Sequence, residues 1–254
     1  MLLHAVDVGD GPRTVVLLHG MMGSADSWWR VMPVLAAQGF RVLAIDLPGH
    51  GLSPRDPRLT IERAASSVVE TVRSLAPGRP LAAVGHSYGA SVLAQAAPLL
   101  RPEPGIYIDA ALVLPGGSDR DDLIERYARD REARLSPEDL RASRPFYSER
   151  DAEIEALAAR RFDPTTMASV SCGRDHMWLP DPGSIIVRAD PSDWVTAADV
   201  ARFEANGIDV RSIPGAAHTV WYSHFEEFTA SLPELFGRRA RAQGAGCEAA
   251  VTGG

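Results

Sequence analysis

The stretch Leu81-Ala82-Ala83-Val84-Gly85-His86-Ser87-Tyr88-Gly89-Ala90 predicts a strand, a tight turn and the start of a helix. The continuous apolar run before Gly85 is typical of a strand that is covered on both faces. Gly85 and Gly89 flank a turn in which side chains would crowd each other, and this spacing holds Ser87 at the strand end with its hydroxyl exposed. The backbone N–H of Tyr88, at the start of the helix, can then face a negative charge that develops beside Ser87.

Apolar runs of this kind recur along the chain and alternate with amphipathic stretches. The predicted strands are Val15–Leu18, Val42–Ile45, Leu81–Val84, Ala110–Leu114, Ile185–Val187 and Ile208–Ile213, and the predicted helices are Trp28–Gln38, Ile61–Leu75, Ala90–Leu100, Ala197–Asn206 and Phe225–Phe236. This alternation predicts an α/β fold with a doubly wound, mainly parallel sheet.

One polar, helical insertion interrupts the alternation and divides the chain. Residues 1–117 and 181–236 form the predicted α/β core, residues 118–180 the insertion, and residues 237–254 a tail that is expected to be disordered. The insertion shows a helix-start signal at Ser136-Pro137-Glu138-Asp139 and no clear strand. It is either a set of surface helices or a lid. We favour the lid, because the insertion leaves the sheet on the side where open α/β sheets bind ligands.

Composition and charge narrow the class of protein. Of 254 residues, 45% are hydrophobic and 23% charged, which is ordinary for a globular protein. The net charge of -7 argues against a nucleic-acid partner or an anionic membrane. Neither a long apolar run nor a signal peptide is apparent, so we expect a cytoplasmic protein. The two cysteines, Cys172 and Cys247, make a disulfide framework or a cysteine metal site unlikely.

Three motifs that each follow a predicted strand resemble the α/β-hydrolase superfamily. They are His19-Gly20-Met21, the run from Asp46 to Ser53, and Gly85–Gly89, and the resemblance extends over about residues 14–236. It implies a serine esterase-like or lipase-like enzyme with a helical lid, with Ser87 as the nucleophile. It also implies that the backbone N–H groups of Met21 and Tyr88 form the oxyanion hole, while His19 and the Asp46–Ser53 loop brace turns around the site.

A serine hydroxyl is a poor nucleophile until a base takes its proton. Among the seven histidines, His218 directly follows the last predicted strand, where the superfamily keeps its base, and it preserves the chain order of serine, acid and histidine. His176, in the insertion, could contact the substrate, and the others are assigned to turns, the first strand or the surface.

The acid departs from the pattern of the family. Relatives end the corresponding strand with Gly-x-x-Asp, whereas this chain has Ala189-Asp190-Pro191-Ser192. Some relatives place the acid after the preceding strand, but no carboxylate follows the predicted strand Ala110–Leu114 before Asp119. Asp190, at a strand end and 28 residues before His218, is the predicted acid and Asp193 the alternative. An acid elsewhere, or none, stays open.

Aromatic residues supply a predicted substrate pocket. Its members are Trp28, Trp29, His86, Phe146, Tyr147, Met177, Trp178 and Trp221. Core packing of the helices would explain Trp28 and Trp29 equally well, and the insertion needs aromatic residues for a core of its own. If several of them face inward, the substrate has an apolar acyl or alcohol part.

The predicted reaction is hydrolysis of a small-molecule ester, lactone or thioester. Its acyl group is transferred first to Ser87 and then to water, without a metal or organic cofactor. C–C bond hydrolysis and acyl transfer or cyclisation on a biosynthetic intermediate are alternatives. Serine rather than aspartate at position 87 argues against a dehalogenase. A protein of this fold that binds a ligand without turnover is a further alternative, to which the displaced acid gives some support.

Overall fold

The computed structural model describes residues 1–78 and 82–237. Its strands are β1 Ala5–Val8, β2 Arg13–Leu18, β3 Phe40–Ile45, β4 Ala82–His86, β5 Gly105–Ile108, β6 Val113–Leu114, β7 His176–Met177, β8 Ile185–Asp190 and β9 Asp209–Pro214. Seven of them form one sheet in the order β1-β3-β2-β4-β5-β8-β9, while β6 and β7 pair separately. Only β1 runs antiparallel to its neighbour in the large sheet, so the predicted mainly parallel α/β sheet is confirmed.

Helices cover both faces of the large sheet. They are α1 Val31–Ala37, α2 Ile61–Leu75, α3 Tyr88–Leu100, α4 Arg120–Glu132, α5 Pro137–Ser143, α6 Glu149–Arg161, α7 Pro164–Val170, α8 Ala197–Glu204, α9 Val220–Ser223, α10 Phe225–Ala230 and α11 Pro233–Phe236, and a 3₁₀ helix spans Ala25–Trp28. Val16 and Leu18 of β2 pack in one core cluster with α2, α3 and α8, and Val15 and Leu17 pack in the other with α1 and α10. All four side chains are fully buried, which explains the continuous apolar runs.

The strand that follows β4 lies earlier in the chain than predicted. It is β5, Gly105–Ile108, and not Ala110–Leu114. The backbone leaves the extended conformation at Asp109, where φ is 44°, and again at Leu112, where φ is 56°. Val113 and Leu114 instead form β6, which pairs with β7 inside the region that was expected to hold no strand. This correction moves Asp109 to the carboxyl end of a central strand.

Residues 118–180, here called the helical insertion, contain α4 to α7 between β6 and β8. Each of these helices begins at a polar side chain that accepts a hydrogen bond from a backbone N–H of the first turn, as Ser136 accepts from the Asp139 N–H at 3.2 Å. Such caps satisfy N–H groups that have no acceptor within the helix, so the sequence itself sets where these helices start. The tail predicted to be disordered, residues 237–254, lies outside the described residues except for Gly237.

A buried carboxylate attaches the helical insertion to the core. Asp151 of α6 is fully buried and accepts hydrogen bonds from Trp29 Nε1 at 3.0 Å and from Arg30 Nη2 at 2.6 Å. It also caps its own helix through Ser148. Across the described ranges, no helix is long and apolar enough to cross a membrane.

Asp151→Ala should lower the free energy of unfolding by roughly 3 kcal/mol, because Arg30 and the Trp29 indole N–H lose their shared acceptor. Urea denaturation followed by tryptophan fluorescence measures this change. Glu153→Ala is the matched control, since Glu153 lies in the same helix and makes only an exposed ion pair with Arg150 at 3.5 Å. The control should change stability by no more than about 0.5 kcal/mol. Equal losses in the two variants would show that Asp151 does not anchor the insertion.

Candidate active site

Ser87 lies on the tight turn between β4 and α3 that the sequence predicts. Its φ is 51° and its ψ is -118°, a combination that non-glycine residues rarely adopt. A Cβ atom on Gly85 would lie 2.5 Å from the carbonyl oxygen of Gly89, and one on Gly89 would lie 2.4 Å from that of His19. Both positions therefore require glycine, and the backbone holds Ser87 in one strained orientation at the carboxyl end of the sheet.

Two backbone N–H groups near Ser87 are left available by the local structure. Tyr88 is the first residue of α3, so its N–H has no acceptor within the helix. The carbonyl oxygen of Gly20 accepts from His19 Nδ1 at 2.8 Å and from the Gly23 N–H at 3.0 Å. Because the C=O and N–H of a trans peptide point in opposite directions, these bonds also fix the direction of the Met21 N–H.

His19 braces this loop. Its Nε2 accepts from the Leu47 N–H at 2.9 Å, which leaves the proton on Nδ1 for the bond to Gly20. Burial lowers the pKa of His19, so the ring stays neutral and this arrangement persists at ordinary pH. Asp46 accepts from the N–H groups of Ala25 at 2.7 Å and Leu52 at 2.9 Å, and thereby ties the second motif to the same region.

The carboxylate beside His218 is Asp109. Its Oδ2 lies 2.8 Å from His218 Nδ1, and the side chain is only 1% exposed. Asp109 directly follows β5, and His218 follows β9. The expectation that Asp190 or Asp193 meets His218 is therefore corrected. The side chain of Asp190 is 48% exposed and accepts from Arg188 Nη2 at 2.7 Å, and Asp193 is exposed.

A serine stands where the family pattern has its acid, and it orients Asp109. Ser192 Oγ donates to Asp109 Oδ1 at 2.7 Å, and the Ala189 N–H donates to the same oxygen at 3.1 Å. The N–H groups of Trp194 and Val195 donate to Ser192 Oγ at 3.0 and 2.9 Å, which directs the hydroxyl proton toward the carboxylate. The apolar run Gly105–Ile108, ending at Asp109, was the sequence signal that could have located this acid.

His86 supports the main chain of His218. Its Nε2 donates to the carbonyl oxygen of His218 at 2.9 Å, and the two rings lie 4.6 Å apart. Burial holds the pKa of His86 well below its usual range, and the proximity of His218 lowers this pKa further. His86 is therefore a neutral hydrogen-bond donor in this position. The indole of Trp194 covers another side of His218, at 5.1 Å between ring centroids.

Two cavities meet at Ser87. The first, of about 210 Å³, contains His218 and four of the predicted pocket residues, His86, Phe146, Tyr147 and Trp221. The second, of about 170 Å³, is mostly apolar and is lined by Tyr88, Asp109 and residues 110–114, with Tyr127 and Met167 of the helical insertion. Ser87, Met21 and Trp194 line both cavities.

The other four predicted pocket residues do not line either cavity. Trp28 is fully buried in the core and stacks on Trp221 at 4.2 Å. Trp29 donates to Asp151, and Trp178 Nε1 donates to Gln95 at 2.9 Å. Met177 is 71% exposed on β7. The prediction that these four residues line the pocket is therefore corrected: Trp28 lies in the core, Trp29 and Trp178 donate to polar side chains, and Met177 lies at the surface. Sequence spacing does not show whether a large apolar side chain faces a cavity.

Comparisons with known proteins agree with this architecture. A probable esterase of rice (Oryza sativa subsp. indica), PIR7A, is 36% identical over 89 residues, which cover 34% of this chain and 34% of the rice protein. A pimeloyl-[acyl-carrier protein] methyl ester esterase of Methylococcus capsulatus is 41% identical over 112 residues, covering 44% of this chain and 39% of that protein. The chain thus matches about a third of the length of these curated relatives.

Solved structures resemble the chain over nearly all of its length. A marine microorganism esterase gives a TM-score of 0.69 at 18% identity, covering 92% of this chain and 99% of its own. An esterase from Exiguobacterium antarcticum gives 0.72 at 17% identity, with 91% and 94% covered. These likenesses show the fold. The family model of the alpha/beta hydrolases matches residues 15–231, and the chain therefore belongs to the alpha/beta hydrolase family.

Proposed function

We propose that this protein is a serine hydrolase that cleaves a carboxylic ester or a related acyl bond through an acyl-enzyme on Ser87. The observation that carries this proposal is the hydrogen bond between buried Asp109 and His218 Nδ1, with His218 and Ser87 lining one cavity. A nucleophile on a strained turn, a base and an orienting carboxylate are the three groups that such a reaction needs.

In the proposed mechanism Asp109 accepts a hydrogen bond from the Nδ1–H of His218, which leaves Nε2 unprotonated and able to take the proton of Ser87. Ser87 Oγ attacks the carbonyl carbon of the substrate while His218 takes the hydroxyl proton. Asp109 stabilises the imidazolium that forms, and its bonds to Ser192 and Ala189 keep the carboxylate from rotating away. The oxyanion accepts hydrogen bonds from the backbone N–H groups of Met21 and Tyr88.

His218 then gives its proton to the leaving group, and the C–O bond breaks to leave the acyl group on Ser87. A water molecule, deprotonated by His218, attacks the acyl carbon; the bond from that carbon to Ser87 Oγ then breaks, His218 returns the proton to Oγ, and the carboxylic acid leaves. The helical insertion acts as a lid in this proposal, because Phe146 and Tyr147 wall the cavity and would limit the access of water.

A carboxylate beside His218 weakens the alternative of a ligand-binding protein without turnover, which drew its support from a displaced acid. The same triad can serve C–C hydrolysis or acyl transfer. Ester hydrolysis is favoured because curated relatives that match the chain in part are named as esterases.

Ser87→Ala should remove labelling by a fluorophosphonate probe and lower esterase turnover by at least about 10³, since the attacking oxygen is lost. Mass-spectrometric mapping of the labelled peptide in the wild-type protein should place the adduct on Ser87, and His218→Ala should strongly reduce it. Ser66→Ala, on the exposed face of α2, is the control and should be labelled normally. Retention of most esterase activity in Ser87→Ala would exclude this serine as the nucleophile.

Asp109→Asn should lower kcat by about 10³–10⁴, because an amide favours the wrong tautomer of His218 and does not stabilise the imidazolium. Asp190→Asn and Asp193→Asn remove carboxylates that do not contact His218, and both should keep kcat within about twofold of wild type, as expected for surface changes. Steady-state kinetics on one activated ester compares the three. A loss in Asp190→Asn as large as in Asp109→Asn would overturn the assignment of the acid.

Ser192 is a positioning residue for Asp109. Ser192→Ala should lower kcat roughly tenfold with little change in KM, since one hydrogen bond to a charged group is lost while the Ala189 N–H remains. Ser192→Thr keeps the hydroxyl and should recover most of kcat. Rescue by Ser192→Thr, together with an unchanged unfolding midpoint in urea for Ser192→Ala, separates this role from general destabilisation, which would lower kcat and the midpoint together.

A further inference from the structure

Two arginines line the same cavity as Ser87 and His218. Arg134 follows α4 and Arg144 follows α5, so both come from the helical insertion, and both are half-buried. In the described part of the chain, neither forms an ion pair with a carboxylate within 4.0 Å. Arg144 Nη1 donates a hydrogen bond to the neutral Ser143 Oγ at 3.0 Å. The cavity therefore holds two positive charges that no carboxylate of the described chain neutralises directly.

The one carboxylate in this cavity, Glu155, is held by other groups. Its Oε1 accepts from Ser27 Oγ at 2.7 Å and from the Tyr222 hydroxyl at 3.0 Å. Burial raises the pKa of Glu155, which favours its neutral form. Glu155 thus supplies at most part of the negative charge that two guanidinium groups can bind.

The two arginines also disfavour each other. Burial, followed by the charge of Arg134, lowers the pKa of Arg144, and the nearby Tyr147 and Glu155 offset only part of this effect. An anionic ligand group between them would remove this repulsion. Guanidinium groups match carboxylate oxygens in shape and bind them with paired hydrogen bonds.

The second cavity has a different character. It is lined by Leu112, Val113, Leu114, Tyr127 and Met167, and none of its lining residues is an arginine or lysine. Ser87 stands at the junction of the two cavities. A substrate whose carbonyl carbon lies at Ser87 must therefore send one part toward the arginines and the other toward apolar side chains.

We propose that the substrate carries a carboxylate on one side of the scissile acyl bond, bound by Arg134 and Arg144, and an apolar group on the other side. This inference rests on the proposed hydrolase function and names its substrate class. The cavity of about 210 Å³ that contains the arginines suits a short carboxylate-bearing chain better than a bulky carrier.

The test compares esters with their neutral isosteres. Monobutyl glutarate and butyl 5-methylhexanoate differ by a carboxylate on the acyl side, and 4-(butanoyloxy)butanoate and 4-methylpentyl butanoate differ on the alcohol side. In one of the two pairs, kcat/KM of wild type should favour the anionic ester by at least about tenfold, the usual worth of a charge-assisted hydrogen bond. The pair that shows the preference identifies the side of the bond that faces the arginines.

Arg134→Met and Arg144→Met should each reduce the ratio of anionic to neutral kcat/KM by about tenfold, mainly through KM. Arg141→Met is the matched control, since Arg141 is an exposed residue of α5 outside the cavity, and its ratio should equal that of wild type. Equal kcat/KM within both ester pairs, or equal effects of the Arg141 and Arg144 variants, would overturn the inference while leaving the hydrolase function intact.

A second readout does not depend on turnover. Glutarate should slow fluorophosphonate labelling of Ser87 at lower concentration than its neutral isostere glutaramide, and Arg144→Met should abolish the difference. Labelling that glutarate and glutaramide slow equally contradicts the carboxylate site. An absence of labelling in the folded wild-type protein contradicts the proposed function itself, so the two failures are distinguishable.

Discussion

The parallel sheet brings Asp109 and His218 together, and the arrangement of the rest of the site depends on the hydrogen bond between them. Asp109, Ser192 and His218 follow β5, β8 and β9, which are neighbours in the sheet. Because the carboxyl ends of parallel strands lie along one edge, residues far apart in the chain meet there. Asp109 is buried, and among the described residues its side chain bonds only to groups at this edge, so the packing of three strands fixes the orientation of the His218 ring.

Ser192 shows how the same edge tolerates a shifted acid. In the pattern of the family a carboxylate stands at this position, whereas here the carboxylate lies one strand away and a hydroxyl supports it. Asp190 does not substitute, although it ends β8, because its side chain turns outward to Arg188. Nearness along the chain is therefore a poor guide to which carboxylate reaches the base, since successive residues of a strand face opposite sides of the sheet.

The helical insertion and the core contribute different chemistry to the site. The core supplies Ser87, His218 and Asp109, and the insertion supplies Arg134 and Arg144 together with aromatic walls. The hydrogen bonds of Asp151 to Trp29 and Arg30 join the two parts close to the 3₁₀ helix Ala25–Trp28. Under the proposed function, a change in the insertion would alter what the site binds without altering Ser87, His218 or Asp109.

The sequence alone determined the α/β sheet, the turn at Ser87 and the place of His218, because each is written in a local pattern: continuous apolar runs, two glycines around a serine, and a histidine after the last strand. Only the tertiary structure decided which carboxylate lies beside His218, which residues line the two cavities and where the two arginines lie. The runs Gly105–Ile108 and Ala110–Leu114 are both apolar, and the positive φ angles at Asp109 and Leu112 separate strand from loop. Whether Trp28 packs in the core while Phe146 lines a cavity, and whether Arg134 and Arg144 line the same cavity, depends on contacts between residues far apart in the chain, which no local pattern records.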